Sequence, residues 1–337
     1  MAATRPLSLF SRPESAKLGL GPLRNSWSRV LQSLGALCLG FLMIGAAACG
    51  SAEPEATDEL AEKMAEEHAD DTTEASPVAS QEPAVEVVGE EIVYGTLDGT
   101  ELTGYLARPA DAGDAPHPGI VVIQEWWGLN DNIRAAARRL AGEGYQALAV
   151  DLYGGEVAAE PEQARALMSA SRENPQWLQD NLRAGHDFLR QQGAPKVGSV
   201  GWCFGGGLSL RLALELEGEL DAAVMYYGSV VTEKESLATL ETPLLGLFGD
   251  QDQGIPVEGV QAMDAALQEL GKEATVIVYA DADHAFANPT GNRYQEAAAT
   301  AAWEQSQAFF ARHLKGEAQA ESGTESESGA DSAESAD

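Results

Sequence analysis

Cysteine is scarce in this chain of 337 residues, which contains only three. Cys38 lies within an apolar N-terminal stretch and Cys49 lies at its end, so Cys203 is the one cysteine left for the rest of the chain. A single thiol excludes an internal disulfide in that part of the chain, and it also excludes a cysteine-rich zinc site. The role of Cys203 is therefore the first question that the sequence raises.

Positive charge is also scarce, because 21 lysine and arginine residues face 53 acidic residues and leave a net charge of −32. Charge of this sign repels nucleic acid and anionic membrane surfaces at long range. Phosphate-binding motifs are missing as well: there is no G-x-x-x-x-G-K-[ST], and "GWCFGGG" does not satisfy G-x-G-x-x-G near the first strand. We therefore expect no nucleic-acid partner, and we predict no metal ion and no other cofactor.

The first 49 residues have the pattern of a secretory signal. Basic residues precede the apolar stretch "VLQSLGALCLGFLMIGAAAC", which ends in small residues. The segment "AAAC", which ends at Cys49, resembles a bacterial lipobox, in which the cysteine receives a lipid and becomes the new N-terminus. We expect an exported protein of the cell envelope, anchored in a membrane by a lipid on Cys49 and facing the periplasm or the exterior. A plain signal peptide and an uncleaved membrane anchor are the alternatives.

Two acidic segments flank the middle of the chain. Residues 50–89 hold about 12 acidic residues against Lys63, and residues 317–337 hold about 7 acidic residues and no base. Such compositions cannot form a core, so we predict a disordered linker and a disordered tail. Residues 90–316 are predicted to form one monomeric domain. Four histidines outside the motifs considered below are expected at the surface: His68, His117, His186 and His313.

The middle of the chain alternates strand-like and helix-like segments. The stretch "EIVYGTLDGTELTGYLARP" predicts a hairpin that turns at Asp98 and Gly99. Continuous apolar runs such as "GIVVI" and "QALAV" are typical of strands buried on both faces, and they alternate with helical segments. The pattern predicts an α/β fold with a mostly parallel central sheet and helices on both faces, preceded by a disordered, exported N-terminal segment.

Side chains that can act as nucleophile, acid or base directly follow several of these strands. Glu125, Cys203 and His284 each come after an apolar run, and so do Asp250 and Asp252. Because functional residues of parallel sheets collect in the loops beyond the carboxyl ends of the strands, we expect these side chains at one edge of the sheet.

Cys203 occupies the centre of a glycine-flanked turn. The segment Gly201-Trp202-Cys203-Phe204-Gly205 fits G-x-nucleophile-x-G, the sharp strand-to-helix turn that exposes one side chain. A helix N-terminus lowers the pKa of a thiol and favours the thiolate, and a later acid and histidine can complete a nucleophile, acid, histidine order. Position alone leaves the acid open between Asp250 and Asp252, with Asp281 and Asp283 as lesser candidates. A buried structural thiol is the alternative for Cys203.

Five segments together resemble the dienelactone hydrolase family of α/β-hydrolases: "QEWWGLN", "DLY", "GWCFGGG", "FGDQDQGIP" and "DADHAFA". The resemblance covers roughly residues 91–315 and implies the α/β-hydrolase fold. It further implies a triad of nucleophile Cys203, acid Asp252 and base His284. In this family the glutamate of the "QE" segment holds the resting thiol and helps to take its proton, a role that would fall to Glu125. The backbone N–H groups of Trp126 and Phe204 would form the oxyanion hole.

The resemblance implies a hydrolase that cleaves lactones or activated small-molecule esters through a thioester. The family's characterised enzymes hold a substrate carboxylate with two arginines, and by our alignment Pro161 and Asn288 stand at those positions. Arg165 is near the first position but on a different part of the turn. Trp127, beside Trp126, predicts an apolar substrate pocket. A thiol redox enzyme, or a non-catalytic envelope lipoprotein that binds a ligand at the same edge, are the alternatives.

Overall fold

A computed structural model describes residue 68, residues 83–111 and residues 116–316. The predicted signal segment with Cys49, nearly all of the acidic linker and the acidic tail lie outside the described residues. The first strand begins at Val87, inside the last residues of the predicted linker 50–89. Among the described residues, no helix combines the length and the hydropathy that crossing a membrane requires.

The described residues form eight strands and seven α-helices, followed by a short π-helical segment. The strands are β1 (Val87–Leu97), β2 (Thr100–Pro109), β3 (Gly119–Ile123), β4 (Gln146–Val150), β5 (Val197–Trp202), β6 (Ala222–Tyr226), β7 (Leu244–Gly249) and β8 (Ala274–Tyr279). The helices are α1 (Asp131–Gly142), α2 (Pro161–Arg172), α3 (Pro175–Gln191), α4 (Phe204–Glu215), α5 (Lys234–Leu237), α6 (Val257–Glu269) and α7 (Glu296–Phe310), and the π-helical segment is Ala311–Lys315.

The strands form one mostly parallel sheet in the order β1-β2-β4-β3-β5-β6-β7-β8. The two antiparallel pairs in this sheet are β1 with β2 and β2 with β4. Every residue of β3, β5, β6 and β7 is buried. Because successive side chains point to opposite faces of a sheet, full burial means that both faces are covered, and the covering elements are the helices. The predicted α/β architecture is confirmed.

The antiparallel edge of the sheet is the predicted hairpin. β1 pairs with β2 from Val87↔Pro109 to Leu97↔Thr100. The two turn residues, Asp98 and Gly99, have φ values of 50° and 82°. Two consecutive positive φ values belong to the tight turn that suits right-twisted strands, and an Asp-Gly pair adopts them readily.

The parallel part of the sheet sets the position of the functional loops. β3, β5, β7 and β8 run in the same direction, so their carboxyl ends lie along one edge. The loops after these four strands carry Glu125, Cys203, Asp252 and His284. The sheet thereby brings together residues that are up to 159 positions apart in sequence.

Two histidines expected at the surface are buried. His186 is 3% exposed, and its ring nitrogens contact the Asp187 carboxylate and the Glu219 carbonyl oxygen. These two acceptors make burial of the ring tolerable. His68 is 1% exposed, and it lies in the segment that was expected to be solvated. The expectation for both residues was wrong.

Candidate active site

The turn between β5 and α4 holds Cys203 in an uncommon backbone conformation. Cys203 has φ 55° and ψ −115°, and its carbonyl oxygen accepts hydrogen bonds from the N–H groups of Gly206 and Gly207. A positive φ is strained for a residue with a Cβ, and such strain concentrates at functional sites. The conformation is that of a nucleophile elbow, with the thiol at the start of a helix.

Glycine is required on both sides of this turn. A Cβ on Gly201 would lie 2.1 Å from the carbonyl oxygen of Gly205, and a Cβ on Gly205 would lie 2.5 Å from the carbonyl oxygens of Ile123 and Gln124. The first helical turn of α4 therefore packs backbone against backbone on the end of β3. This packing brings the Phe204 amide close to the loop that carries the Trp126 amide. Their role as an oxyanion hole stays a prediction.

His284 and Asp252 form a buried pair next to Cys203. The Nδ1 atom of His284 lies 2.8 Å from Oδ2 of Asp252. The other carboxylate oxygen of Asp252 accepts a hydrogen bond of 2.7 Å from the Ile255 amide, which fixes the orientation of the carboxylate. Since the carboxylate accepts from Nδ1–H, the Nε2 atom of His284 is the one that can exchange a proton with a reacting group.

The alternative acids lie elsewhere. Asp250 is exposed, and its side chain accepts a hydrogen bond from Gln251. Asp283 accepts a hydrogen bond from the backbone N–H of His284 rather than from its ring, and Asp281 is exposed. Of the four candidate acids, Asp252 is the one bonded to the imidazole.

The sulfur of Cys203 and one ring nitrogen each of His284 and His68 lie within 4.8 Å of one another. The Nε2 atom of His284 makes no hydrogen bond of normal geometry. Its attraction to the sulfur is therefore mainly electrostatic, and such contacts tighten when substrate binds. Three ligand atoms of this kind could also hold a metal ion.

The pKa values of Cys203 and His284 both differ strongly from their ordinary values. Burial raises the pKa of the Cys203 thiol, but the facing charge and ring N–H of His284, with a smaller contribution from His68, lower this pKa from 9.0 to about 6. Burial lowers the pKa of His284, whereas the negative charges of Cys203 and Asp252 raise it well above its ordinary 6.5. At neutral pH the pair is therefore a thiolate and an imidazolium, the form in which a cysteine is nucleophilic.

Glu125 follows β3 at the same edge of the sheet and is 5% exposed. Its carboxylate accepts a hydrogen bond of 3.3 Å from Asn288, and it acts electrostatically on the hydroxyl of Tyr227. Asn288, one of the positions that the alignment matches to a family arginine, thus contacts Glu125 instead. The expected hold of Glu125 on the resting thiol stays a prediction.

Positive charge reaches the site from two positions that the alignment missed. Arg172 ends α2, lies 5.4 Å above the ring of Phe204 and interacts electrostatically with Cys203. Arg293 lies nine residues after His284, and its Nη2 donates to Nδ1 of His68 at 2.9 Å. The sequence around Arg172 and Arg293 does not indicate that they lie near the site. Each arginine is brought there by the path of the helix or loop to which it belongs.

A cavity of about 580 Å³ adjoins the site at Glu125, Tyr227 and Asn288. It extends between α1 and α7, where Arg139 and Trp303 line it. Trp127 does not line this cavity. Its ring lies 5.1 Å from that of Trp126 and 6.3 Å from that of His68, and it is 1% exposed, so its role in a substrate pocket stays a prediction.

Comparison with known proteins identifies a family. The model of the dienelactone hydrolase family matches residues 102–314, more than half of the chain. A relative from Saccharolobus solfataricus named "Putative carboxymethylenebutenolidase" is 31% identical over 264 residues, which cover 67% of this chain and 99% of the relative. A relative of the same name from Escherichia coli is 34% identical over 258 residues, which cover 71% of this chain and 93% of the relative.

Solved structures have the same fold. A Klebsiella pneumoniae protein named "Putative Dienelactone Hydrolase" superposes with a TM-score of 0.60 at 31% identity, covering 67% of this chain and 99% of that chain. The matched range contains Cys203, Asp252, His284 and Glu125, but it excludes His68.

Proposed function

Because the chain belongs to the dienelactone hydrolase family and is accordingly an ester or lactone hydrolase, we propose that it breaks these bonds through a thioester formed on Cys203. One observation carries the proposal: a strained elbow presents the Cys203 sulfur to His284, and His284 is hydrogen-bonded to Asp252 at 2.8 Å. Thiol, imidazole and carboxylate in this order are the groups that acyl transfer requires.

Acylation begins from the ion pair. The Cys203 thiolate attacks the carbonyl carbon of the substrate, and the carbonyl electrons move to the oxygen, which the N–H groups of Phe204 and Trp126 stabilise. The tetrahedral intermediate collapses, the ester C–O bond breaks, and the imidazolium of His284 gives its proton to the departing alkoxide. A linear ester releases its alcohol at this point, whereas a lactone keeps its hydroxyl on the acyl chain bound to sulfur.

Deacylation uses the same groups in reverse. His284, now neutral, takes a proton from water while the water oxygen attacks the thioester carbonyl. The second intermediate releases the carboxylic acid and restores the thiolate and the imidazolium. Asp252 holds the imidazole in one tautomer and stabilises its positive charge throughout.

The substrate class that we propose is a small ester or lactone with a good leaving group. The cavity of about 580 Å³ is of the size that binds small molecules, but Cys203 and His284 do not line it, so it supports a place for part of the substrate next to the reacting groups. Arg172 and Arg293 add positive charge beside the sulfur and could accept an anionic acyl group, although neither stands where the alignment places the family's arginines.

A redox role for the thiolate is less well supported. Among the described residues Cys203 is the only cysteine, so no second thiol there can resolve a sulfenate. The His284–Asp252 pair has no evident use in such chemistry, whereas hydrolysis requires it. Turnover of peroxide faster than of esters would favour the redox role.

The test is hydrolysis of a short-chain aryl ester by the purified protein and its Cys203 variants. We expect Cys203→Ala to remove activity, and Cys203→Ser to leave only weak activity because a hydroxyl needs more general-base help than a thiol. Ser236→Ala, a change of similar size at an exposed position in α5, is the control and should hydrolyse the ester at the unaltered rate. Equal turnover by Cys203→Ala and the unaltered protein would refute the proposal.

We also propose that the protein is exported and held at a membrane of the cell envelope by a lipid on Cys49. The lipobox-like "AAAC" after a basic and then apolar segment supports this localisation. A lipid on the protein fits the acidic surface, because a strongly negative domain is not attracted to an anionic membrane by itself.

A further inference from the structure

His68 lies far outside the family match, yet its ring is buried among the residues of the site. It is 1% exposed, and its centroid lies 4.7 Å from the ring of Trp126 and 5.5 Å from the ring of His284. The match begins only at residue 102, so this imidazole lies outside the matched range. A buried ring of this kind requires polar partners, and the partners define what it can do.

We propose that His68 is a further catalytic residue, which donates a hydrogen bond from Nε2–H to the Cys203 thiolate. A ring nitrogen of His68 lies within 4.8 Å of the Cys203 sulfur, and this contact must shorten to become the proposed hydrogen bond when substrate binds. His68 thereby completes a site whose other residues lie in the range that the family model matches. The inference rests on the proposed function only in taking Cys203 as the reacting group.

Arg293 selects the tautomer that this role requires. Its Nη2 atom lies 2.9 Å from Nδ1 of His68. A guanidinium can only donate, so Nδ1 must accept and the single proton of a neutral His68 resides on Nε2.

The two histidines then act on the sulfur in different ways. His284 supplies positive charge and the proton for the leaving group, whereas His68 supplies a donor that its contact with Arg293 holds in place. A hydrogen bond to an ionised sulfur favours the thiolate over the thiol, since the thiol is a poor acceptor. His68 would therefore keep the sulfur ionised before substrate is attacked, and it would stabilise the thiolate that leaves when the thioester is hydrolysed.

A soft metal ion among the same three side chains is the competing reading. Cysteine sulfur and two imidazole nitrogens are ligands that zinc accepts. Ligation through Nε2 of His68 requires that atom to be free of hydrogen, which would place a proton on Nδ1 directly against the Arg293 donor. The contact with Arg293 thus favours the donor role, and chelation is one arm of the test.

Several other groups influence the ionisation of Cys203 and remain unchanged in the comparison of variants. The titratable or charged groups that act on its sulfur directly are His284, His68, Tyr153, Arg172 and Tyr227. Those that act through one of these groups are Asp252, Glu125, Arg293, Asp151, Arg211 and Tyr226. A change at His68 alone should therefore move the ionisation of the thiol and leave its other determinants in place.

The test is the pH dependence of Cys203 alkylation by iodoacetamide in the full-length protein. Removing the donor with His68→Ala should move the midpoint upward by about one to two pH units, the size expected for a hydrogen bond to a charged group. His68→Gln should keep the midpoint near that of the unaltered protein, because the Gln amide nitrogen reaches the place of Nε2. His68→Asn should behave like alanine, because its shorter amide reaches only the place of Nδ1.

Controls separate this inference from its alternatives. His117→Ala removes a histidine that contacts the Gly144 carbonyl oxygen and should leave the midpoint unchanged. If His68→Ala does not fold, the contrast between the Gln and Asn variants decides. An unmoved midpoint in His68→Ala, with or without faster alkylation at high pH, would overturn the inference and leave His68 a cover over the thiol.

A midpoint that shifts when EDTA is added to the unaltered protein would also overturn the inference, in favour of a bound metal ion. Alkylation does not require ester turnover, so a failure of this inference is distinct from a failure of the proposed function, which the activity of Cys203→Ala decides.

Discussion

Asp252 and Asp250 differ by two positions in one loop, and only Asp252 contacts the imidazole of His284. Replacing Asp252 by Asn removes the charge that stabilises the imidazolium and allows the wrong tautomer. We expect kcat/KM for an aryl ester to fall by at least about 10²-fold. Asp250→Asn, at an exposed position, should change kcat/KM by less than about twofold. Equal losses in the two variants would show that the loop matters and not the contact.

The pH dependence of activity should follow the ion pair. The pKa of Cys203 is lowered to about 6, so the thiolate is present above this pH and is lost as the pH falls through it. The pKa of His284 is raised, so its proton is available to the leaving group at neutral pH and is lost at alkaline pH. We expect a bell-shaped profile of kcat/KM with an acid limb near pH 6.

The cause of the acid limb can be checked with His284→Ala. Without the facing imidazolium, the titration of the thiol, followed by its alkylation, should move toward the ordinary value of 9.0. A thiol that titrates near pH 6 in both proteins would contradict the electrostatic account.

The location of a site residue was predictable where the residue directly follows an apolar strand. Glu125, Cys203, Asp252 and His284 each follow an apolar strand, and parallel topology brings such positions to one edge. His68 was not predictable, because it lies in an acidic segment without hydrophobic periodicity, and no local signal shows where such a segment contacts a folded domain. The choice between the two loop acids required the resemblance, since both have the same local context.

At the scale of elements, the contact between α4 and the end of β3 depends on Gly205. A methyl group there would lie 2.5 Å from the carbonyl oxygens of Ile123 and Gln124, which are backbone atoms and cannot rotate away. We expect Gly205→Ala to lower the free energy of unfolding by about 1–3 kcal/mol, measured by denaturant unfolding. It should also reduce kcat/KM, because it displaces the turn that carries the Phe204 amide.

Gly259 in α6 provides the matched control. A Cβ there would meet only a side-chain methyl group of Val230, at 3.4 Å. Gly259→Ala should leave activity unchanged and should be neutral or stabilising by up to about 1 kcal/mol, since alanine favours the helix more than glycine does. If Gly205→Ala were as stable as Gly259→Ala, the close approach at the elbow would not constrain the fold.

Elements were predictable where their hydrophobic pattern was long enough. The continuous apolar strands and the Asp98-Gly99 hairpin follow directly from the sequence. The four-residue helix α5 was not predicted, because four residues span barely one helical turn and show no period. Near the C-terminal end, α7 is followed by the π-helical segment Ala311–Lys315. Such a change of winding has no clear sequence signature.

At the scale of the whole molecule, the proposed lipid on Cys49 has a physical readout. A protein that carries it should partition into the detergent-rich phase of a Triton X-114 separation, because each buried methylene of the lipid contributes about 0.8 kcal/mol. Cys49→Ala, produced in the same bacterial host, should stay in the aqueous phase. Equal partition of the two proteins would contradict lipidation.

The fold class of the whole molecule was predictable, since alternating strands and helices with apolar strands allow few other architectures. The contribution of His68 to the site was not predictable, because it depends on contacts with residues more than 50 positions away. Long-range contacts of this kind leave no periodic trace in the sequence.

The central claim is that Cys203 becomes acylated during turnover. The most direct measurement is peptide mass spectrometry of the protein quenched in acid while it hydrolyses an aryl acetate. The account predicts an acetyl group on the peptide that contains Cys203, removable by hydroxylamine as a thioester is, and absent from Cys203→Ala. Continued turnover with the Cys203 peptide never modified, and with the alanine variant equally active, would contradict it.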